Sequence, residues 1–214
     1  SLPNSVEHLG VYSFAECQLL TTVTFGNSMQ IIPEGVFQYS AVTSISIPPS
    51  VTSIGTSAFE FSSLQSLIFS ATSSVSSINN AAFAGTSLGS VTFPASLRTV
   101  SPYAFYGLTG DGRTFIFSGP VEQIGSFAFS ASGATQLIFE ASVSALQESS
   151  FSDNCGLTAV IFNSDAPQSF GSGPFTASEN AVITIPYWSS GWSNPWYDRS
   201  IQNWQWLPDD LIGE

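Results

Sequence analysis

Val51-Thr52-Ser53-Ile54-Gly55-Thr56-Ser57-Ala58-Phe59, followed by a polar bend and Leu64-Gln65-Ser66-Leu67-Ile68-Phe69, is one complete unit of a repeating chain. Its apolar positions are Val51, Ile54, Phe59, Leu64, Leu67 and Phe69. The same template fits eight times. Its anchor is a phenylalanine, at Phe14, Phe37, Phe59, Phe83, Phe105, Phe129, Phe151 and Phe175, in steps of 23, 22, 24, 22, 24, 22 and 24 residues. A fixed period of this size is the signature of a solenoid, in which no unit buries its apolar face alone and stacked neighbours do so together.

Apolar pairs precede the anchors by eight and five residues, from Val6 and Leu9 through Met29 and Ile32 to Val143 and Leu146; the eighth unit keeps only Phe170, with Pro167 in the earlier slot. After each anchor comes an apolar-x-apolar triplet, beginning with Val23 to Phe25 and ending with Ile183 to Ile185. Alternation over so short a span predicts a strand with one face in the core. Fixed spacing predicts that these strands stack in parallel, one per coil, over roughly 40 Å at ~4.8 Å per coil. Pro48, Pro94 and Pro186 follow three of the triplets, where a missing N–H does least harm.

With this motif, V-x-S-I-G-x-x-A-F, a polar turn, then L-x-x-L-x-F/I-P, the chain resembles the BspA-like class of leucine-rich repeats, most closely at Val51 to Phe59 and Val121 to Phe129. Cys17, three residues after Phe14, sits where that class commonly carries cysteine. Most of the other repeats lack the cysteine, and the asparagine of ordinary leucine-rich repeats is expected to be absent. The resemblance covers roughly residues 2 to 186. It implies a mainly β solenoid of about eight 22–24-residue repeats with short helical turns and a parallel concave sheet. It also implies a surface or secreted protein of the adhesin kind.

Composition bounds the chemistry. Hydrophobic residues make up 43% of the 214 positions and charged residues 8%, unlike a disordered chain. No apolar run reaches the ~18 residues of a membrane helix. The only cations are Arg98, Arg113 and Arg199, and the net charge is -12. Nucleic-acid binding, which rests on neutralising phosphates, and attraction to anionic membranes are therefore not expected. Without lysine there is no Schiff-base chemistry. His8 is the single histidine and lies in a solvated position, so no catalytic triad or histidine metal pair can be assembled. The acids, among them Asp111, Asp153, Asp165 and Asp209-Asp210, show no calcium-loop spacing. No catalytic residue, metal or cofactor is expected. Cys17 and Cys155 lie six coils apart, roughly 29 Å, too far for a disulfide; both are expected free and largely buried.

Two places break the period. Leu108 to Thr114 inserts two residues between anchor and strand, with Gly110-Asp111-Gly112 as a turn. Beyond Ile185 the repeat stops and Trp188, Trp192, Trp196, Trp204 and Trp206 follow. A solenoid needs an atypical cap over its last coil, which divides the chain into a solenoid at residues 1–186 and a capping segment at 187–214. Asn194-Pro195 predicts a helix start, with Trp196, Ile201 and Trp204 on one face. At the other end Leu2 to Val6 aligns with Ile47 to Val51, so the chain opens inside a repeat; further chain, or self-association, is expected at that coil.

The outward strand positions form the candidate binding surface. Ile68, Thr92, Thr114, Ile116, Gln136, Ile138 and Ile161 fall on continuous rows, apolar in the later half. The leading expectation is a non-enzymatic module, outside the cell or on its surface, gripping a protein through this sheet. A second is carbohydrate binding by Trp188, Trp192 and Trp206, whose ring faces would stack on sugars; capping competes with it. A third is a segment of a longer surface fibre.

Overall fold

The computed structural model describes residues 1–186 and 189–192, together with the backbone of Trp204–Leu207. Its strands in chain order are β1 (Ile31–Ile32), β2 (Ser44–Ile47), β3 (Ser53–Ile54), β4 (Ser66–Phe69), β5 (Ser77–Ile78), β6 (Val91–Phe93) and β7 (Thr99–Val100). They continue as β8 (Arg113–Phe117), β9 (Val121–Ile124), β10 (Ala134–Phe139), β11 (Val143–Leu146), β12 (Ala159–Phe162), β13 (Ser169–Phe170), β14 (Val182–Pro186) and β15 (Trp204–Leu207). Up to β14, odd and even strands separate into two walls, and β15 joins the even one. The seven-stranded sheet runs β1-β3-β5-β7-β9-β11-β13, and the six-stranded sheet runs β15-β14-β12-β10-β8-β6, with β2-β4 as a separate pair. Every pairing is parallel, as a solenoid requires.

The even strands up to β14 are the predicted triplets. The odd strands were not foreseen: they carry the second residue of each pre-anchor pair, such as Ile54 and Ile78, in strands mostly of two residues. Two residues hold no visible alternation, so only the stacking reveals them. The first coil contributes no strand to either wall; its one β-bridge to the second is Thr22 to Ser44, beside the backbone bonds of the turn edge. Seven coils are thus strand-bearing and the first is irregular.

Between the walls lies an aromatic core. The eight anchor rings form one uninterrupted column, each stacked on the next with centroids 4.8 to 5.6 Å apart and interplanar angles of 3° to 20°. Phe37 through Phe151 are fully buried, while Phe14 and Phe175 at the ends are partly so. A second column, Phe93, Phe117, Phe139 and Phe162, stacks at 4.7 to 4.8 Å. The columns meet edge to face, as at Phe117–Phe129 (81°) and Phe139–Phe151 (81°), the geometry that ring quadrupoles favour.

The segment around each anchor is not helical, and no helix occurs among the described residues. Every residue two before and two after an anchor has positive φ, including the twelve non-glycine cases such as Ser57 (51°), Phe61 (52°), Ala81 (51°) and Tyr103 (59°). A left-handed residue interrupts helical bonding, so the amides alternate between two destinations. The residue after the anchor donates back within its own coil, as from Glu60 N to Ser57 O at 3.2 Å. The anchor and both left-handed residues donate to the next coil, as from Ser57 N to Asn80 O (2.9 Å), Phe59 N to Ala82 O (2.8 Å) and Phe61 N to Ala84 O (2.8 Å). This set of three recurs at all seven coil boundaries. A left-handed non-glycine residue costs about 1–2 kcal/mol, and the intercoil bonds offset it.

A buried polar seam runs three residues after the anchors. Ser40, Ser62 and Thr86 return their hydroxyls to the anchor carbonyls at 2.7 to 2.8 Å. In the seventh coil the slot holds Asn154, whose Nδ2 donates to Phe129 O (2.9 Å) and Phe151 O (2.8 Å) while its Oδ1 accepts from Ala134 N (3.1 Å). Asn154 thus occupies the position, three residues after the anchor, that Cys17 holds in the first coil. The cysteines are free, but Cys17 is half-buried and Cys155 exposed, so burial does not protect them as expected. Cys155 falls one position past the inward-facing slot that Asn154 fills.

The insertion is a fixed structure. Arg113 is buried and donates to the carbonyls of Leu88, Thr109 and Gly110, and to Ser132 O at 2.8 Å. Burial pushes its guanidinium down from the ordinary value, with Asp111 acting in the opposite sense. At the C-terminal end the predicted helix does not include Trp204. That residue begins β15, which pairs in parallel with β14, Ile183 opposite Trp204 and Ile185 opposite Trp206. The alternating Trp-Gln-Trp-Leu suits a strand, and pairing satisfies an otherwise open sheet edge. Trp196 and Ile201 lie outside the described residues.

Three substitutions test this account. Phe83→Ala removes a ring from mid-column and should cost ~3–5 kcal/mol in denaturant unfolding, with amide protection falling in both neighbouring coils. Ala81→Gly should instead stabilise by up to ~1 kcal/mol, because glycine adopts φ > 0 without the Cβ penalty; an unchanged or lower midpoint would contradict the turn geometry. Arg113→Met leaves several carbonyls without donors and should cost at least ~3 kcal/mol, read as a fall of roughly 6–12 °C in a thermal melt at ~2–4 °C per kcal/mol.

Candidate functional site

Parallel register decides which outward residues become neighbours. Thr92, Ile116, Ile138, Ile161 and Thr184 are successive partners across β6, β8, β10, β12 and β14. Beside them Thr114, Gln136, Ala159 and Val182 form the adjacent row. Strands about 4.8 Å apart bring β-branched side chains into contact along each row. Thr92 and Gln136 are exposed, whereas Thr114, Ile116, Ile138 and Ile161 are half-buried by one another. Thr114 Oγ1 donates to Gln136 Oε1 at 3.5 Å, and Thr114 N donates to Ser90 Oγ at 3.0 Å.

Six of the seven residues read from the sequence thus lie together on one sheet. Ile68 does not join them through a ladder. It is 57% exposed on β4, opposite Ser46, in the two-stranded pair. The pairing lapses between β4 and β6, where Gly89 N donates to Gln65 O at 3.0 Å. Ser44 and Ser46 are exposed beside Ile68, so the early pair is mixed, whereas the isoleucines of the later strands follow one another in register.

The tryptophan platform is more divided. Trp192 is packed against the core, its ring 5.0 Å from Phe162 and tilted 53°, at the end of the second column. Trp206 lies on β15, and Trp188 lies outside the described residues.

One aromatic surface escaped the sequence reading. Tyr12, Tyr39, Phe61, Tyr103 and Tyr106 are 41% to 51% exposed, and all sit on the turn edge beside the anchors. Tyr39 stacks on Phe61 at 5.3 Å, Tyr103 on Phe127 at 5.4 Å, and Tyr106 meets Tyr103 edge-on at 5.6 Å. The ring of Tyr12 covers Gly35 and that of Phe61 covers Gly85, where a Cβ would collide with it. Both glycines have positive φ, 58° and 67°. The available signal was positional: aromatics recurring two residues either side of an anchor point away from the core.

Neither arginine of the described residues competes for these surfaces. Arg98 donates Nη1 to the carbonyls of Ala95 (2.8 Å), Leu97 (3.0 Å) and Pro120 (3.0 Å), and Arg113 is buried. Among the described residues no three His, Cys, Asp or Glu side chains gather as a metal site, and no helix is long and apolar enough to cross a membrane.

Comparison with known proteins adds the following. A family profile described as BspA type Leucine rich repeat region matches in six copies, over residues 1–110 and 111–191. No curated protein matches the chain at a significant level. Among solved structures, the pneumococcal vaccine antigen PcpA is 21% identical, with a TM-score of 0.46 over 86% of this chain and 60% of that one. A leucine-rich cell surface protein of Faecalibacterium prausnitzii is 18% identical, with a TM-score of 0.40 over 86% of this chain and 72% of its own. A leucine-rich repeat protein of Bacteroides ovatus is 14% identical, with a TM-score of 0.32 over 97% and 83%. The chain thus spans 60% of the length of PcpA in its solved structure.

Proposed function

Because the chain belongs to the BspA-type leucine-rich repeat family, we propose that it is a non-enzymatic binding module, outside the cell or on its surface, that holds a protein partner on its six-stranded sheet. One observation carries this reading. Ile116, Ile138 and Ile161 stand in register between Thr92 and Thr184, beside a row containing Thr114 and Gln136. A contiguous apolar stripe rimmed by hydroxyl and amide groups matches the apolar core and polar rim of protein interfaces. Its three isoleucines are held before binding, because β8, β10 and β12 are each paired on both sides, and little ordering entropy is lost on association. Surface display is what the family resemblance implies.

The division into a solenoid at 1–186 and a cap at 187–214 accords with this role. Trp192 covers the Phe162 ring, which supports a capping part for that tryptophan rather than a sugar platform.

A triple variant, Ile116→Thr, Ile138→Thr and Ile161→Thr, keeps β-branched side chains but removes the stripe. Against an immobilised panel of extracellular matrix proteins it should lose at least ten-fold in affinity wherever the parent binds, with its melting temperature within a few degrees. Unchanged affinity would remove the sheet from the proposal. Trp192→Ala should lower stability by ~2–3 kcal/mol, while Trp192→Phe retains most of it. A Trp192→Ala protein of full stability that no longer binds glycans on an array would instead favour sugar recognition at that end.

A further inference from the structure

The turn edge of the first three coils is built unlike the sheet. Tyr12, Tyr39 and Phe61 are 47%, 45% and 51% exposed there, an apolar rail on a surface whose backbone is already satisfied by the intercoil bonds. Each ring has a covered face, Tyr39 and Phe61 against one another and Tyr12 over Gly35. The rail therefore presents rims and part of its ring surface, against which the aliphatic stems of long side chains pack.

Three carboxylates line this rail, from Glu16, Glu34 and Glu60. Two are held in place: Tyr12 Oη donates to Glu34 Oε1 at 2.6 Å, and Gln38 Nε2 donates to Glu60 Oε2 at 2.6 Å. Glu60 is tied to the rail through its backbone as well, Tyr39 N donating to Glu60 O at 2.9 Å, and the Glu34 hydrogen bond raises the Tyr12 phenol above its ordinary pKa. A carboxylate has about four acceptor positions, and one hydrogen bond leaves each able to accept more. Arg98 and Arg113 both lie in the fifth coil and donate to backbone carbonyls. The rail is thus an apolar edge bordered by fixed negative charge, on a chain of net charge -12.

We propose that this edge, from Tyr12 to Phe61, is a second docking surface whose occupant is an extended segment of a partner protein rich in arginine and lysine. Arginine and lysine are the residues that match both features at once. Their methylene stems cover apolar rims while their charged heads reach the flanking carboxylates. The carboxylates are oriented before binding, and charge-assisted hydrogen bonds to them are stronger than neutral ones. This surface is separate from the isoleucine stripe and does not depend on it.

The test uses the whole chain and a fluorescein-labelled nonapeptide of alternating arginine and alanine, with a glutamate-for-arginine peptide as control. The basic peptide should bind, more weakly as salt is raised, and the acidic one should not. Glu34→Gln with Glu60→Gln should weaken binding at least ten-fold. Glu122→Gln with Glu140→Gln makes the same change in net charge on other faces and should stay within two-fold. Tyr39→Ser with Phe61→Ser should weaken binding at least five-fold, provided its circular dichroism melt remains cooperative; if it does not fold, the glutamine pairs decide alone. The isoleucine-stripe variant should bind the peptide normally. Equal losses in the two glutamine pairs would reduce the effect to overall charge and overturn the proposal, as would absence of binding. Concentration-dependent self-association abolished by Phe61→Ser would assign the edge to a second copy of the chain and overturn it equally.

Discussion

Everything in this molecule is subject to one spacing. Hydrogen-bonded parallel strands sit about 4.8 Å apart, and aromatic rings in contact prefer centroid separations from about 4.5 Å upward. The two preferences coincide, so a single rise per coil satisfies the backbone ladders and the phenylalanine column together, with centroids at 4.8 to 5.6 Å along its length. Neither would hold without the other. Strands of two residues, such as Ser53–Ile54, are too short to persist on their own, and an unsupported ring stack has no means of fixing its register.

The same spacing accounts for the unusual turns. A helix at the anchor would direct its hydrogen bonds along its own axis and leave neighbouring coils unconnected there. Left-handed residues at two fixed positions redirect alternate amides to the next coil, three at each boundary. A further result is that the side chains at those positions point outward. Tyr39, Phe61 and Tyr103 are exposed for this reason, not because the core lacks room.

The fold's main periodicity was legible because it is written in large apolar residues. The eight anchors, the inward triplets and the outward rows from Thr92 to Ile161 all follow from spacing alone, and the register places those row residues side by side. What escaped was whatever lacks a local signal. The seven-stranded sheet has strands mostly too short to alternate, and twelve of the left-handed positions hold residues such as alanine, serine and tyrosine, with the glycine that would betray them only at Gly35, Gly85, Gly107 and Gly173. Asn154 was passed over because a single asparagine breaks no pattern, yet it joins Phe129, Ala134 and Phe151. Asn194-Pro195 is a local helix-start signal, but for Trp204 the edge of β14 is the stronger determinant. The exposed aromatics were overlooked because aromatic residues in a repeat are read first as core.

Near-identical rungs carry a hazard: a chain that folds by stacking copies of itself could skip one and close on the wrong neighbour. Arg113 guards against that error. Its acceptors come from the fourth coil (Leu88), the fifth (Thr109, Gly110) and the sixth (Ser132), a combination found at one location only. A mis-threaded stack would trap a guanidinium in the interior without acceptors, a fault costing several kcal/mol. One irregular residue thereby gives three rungs of an otherwise monotonous ladder a fixed address.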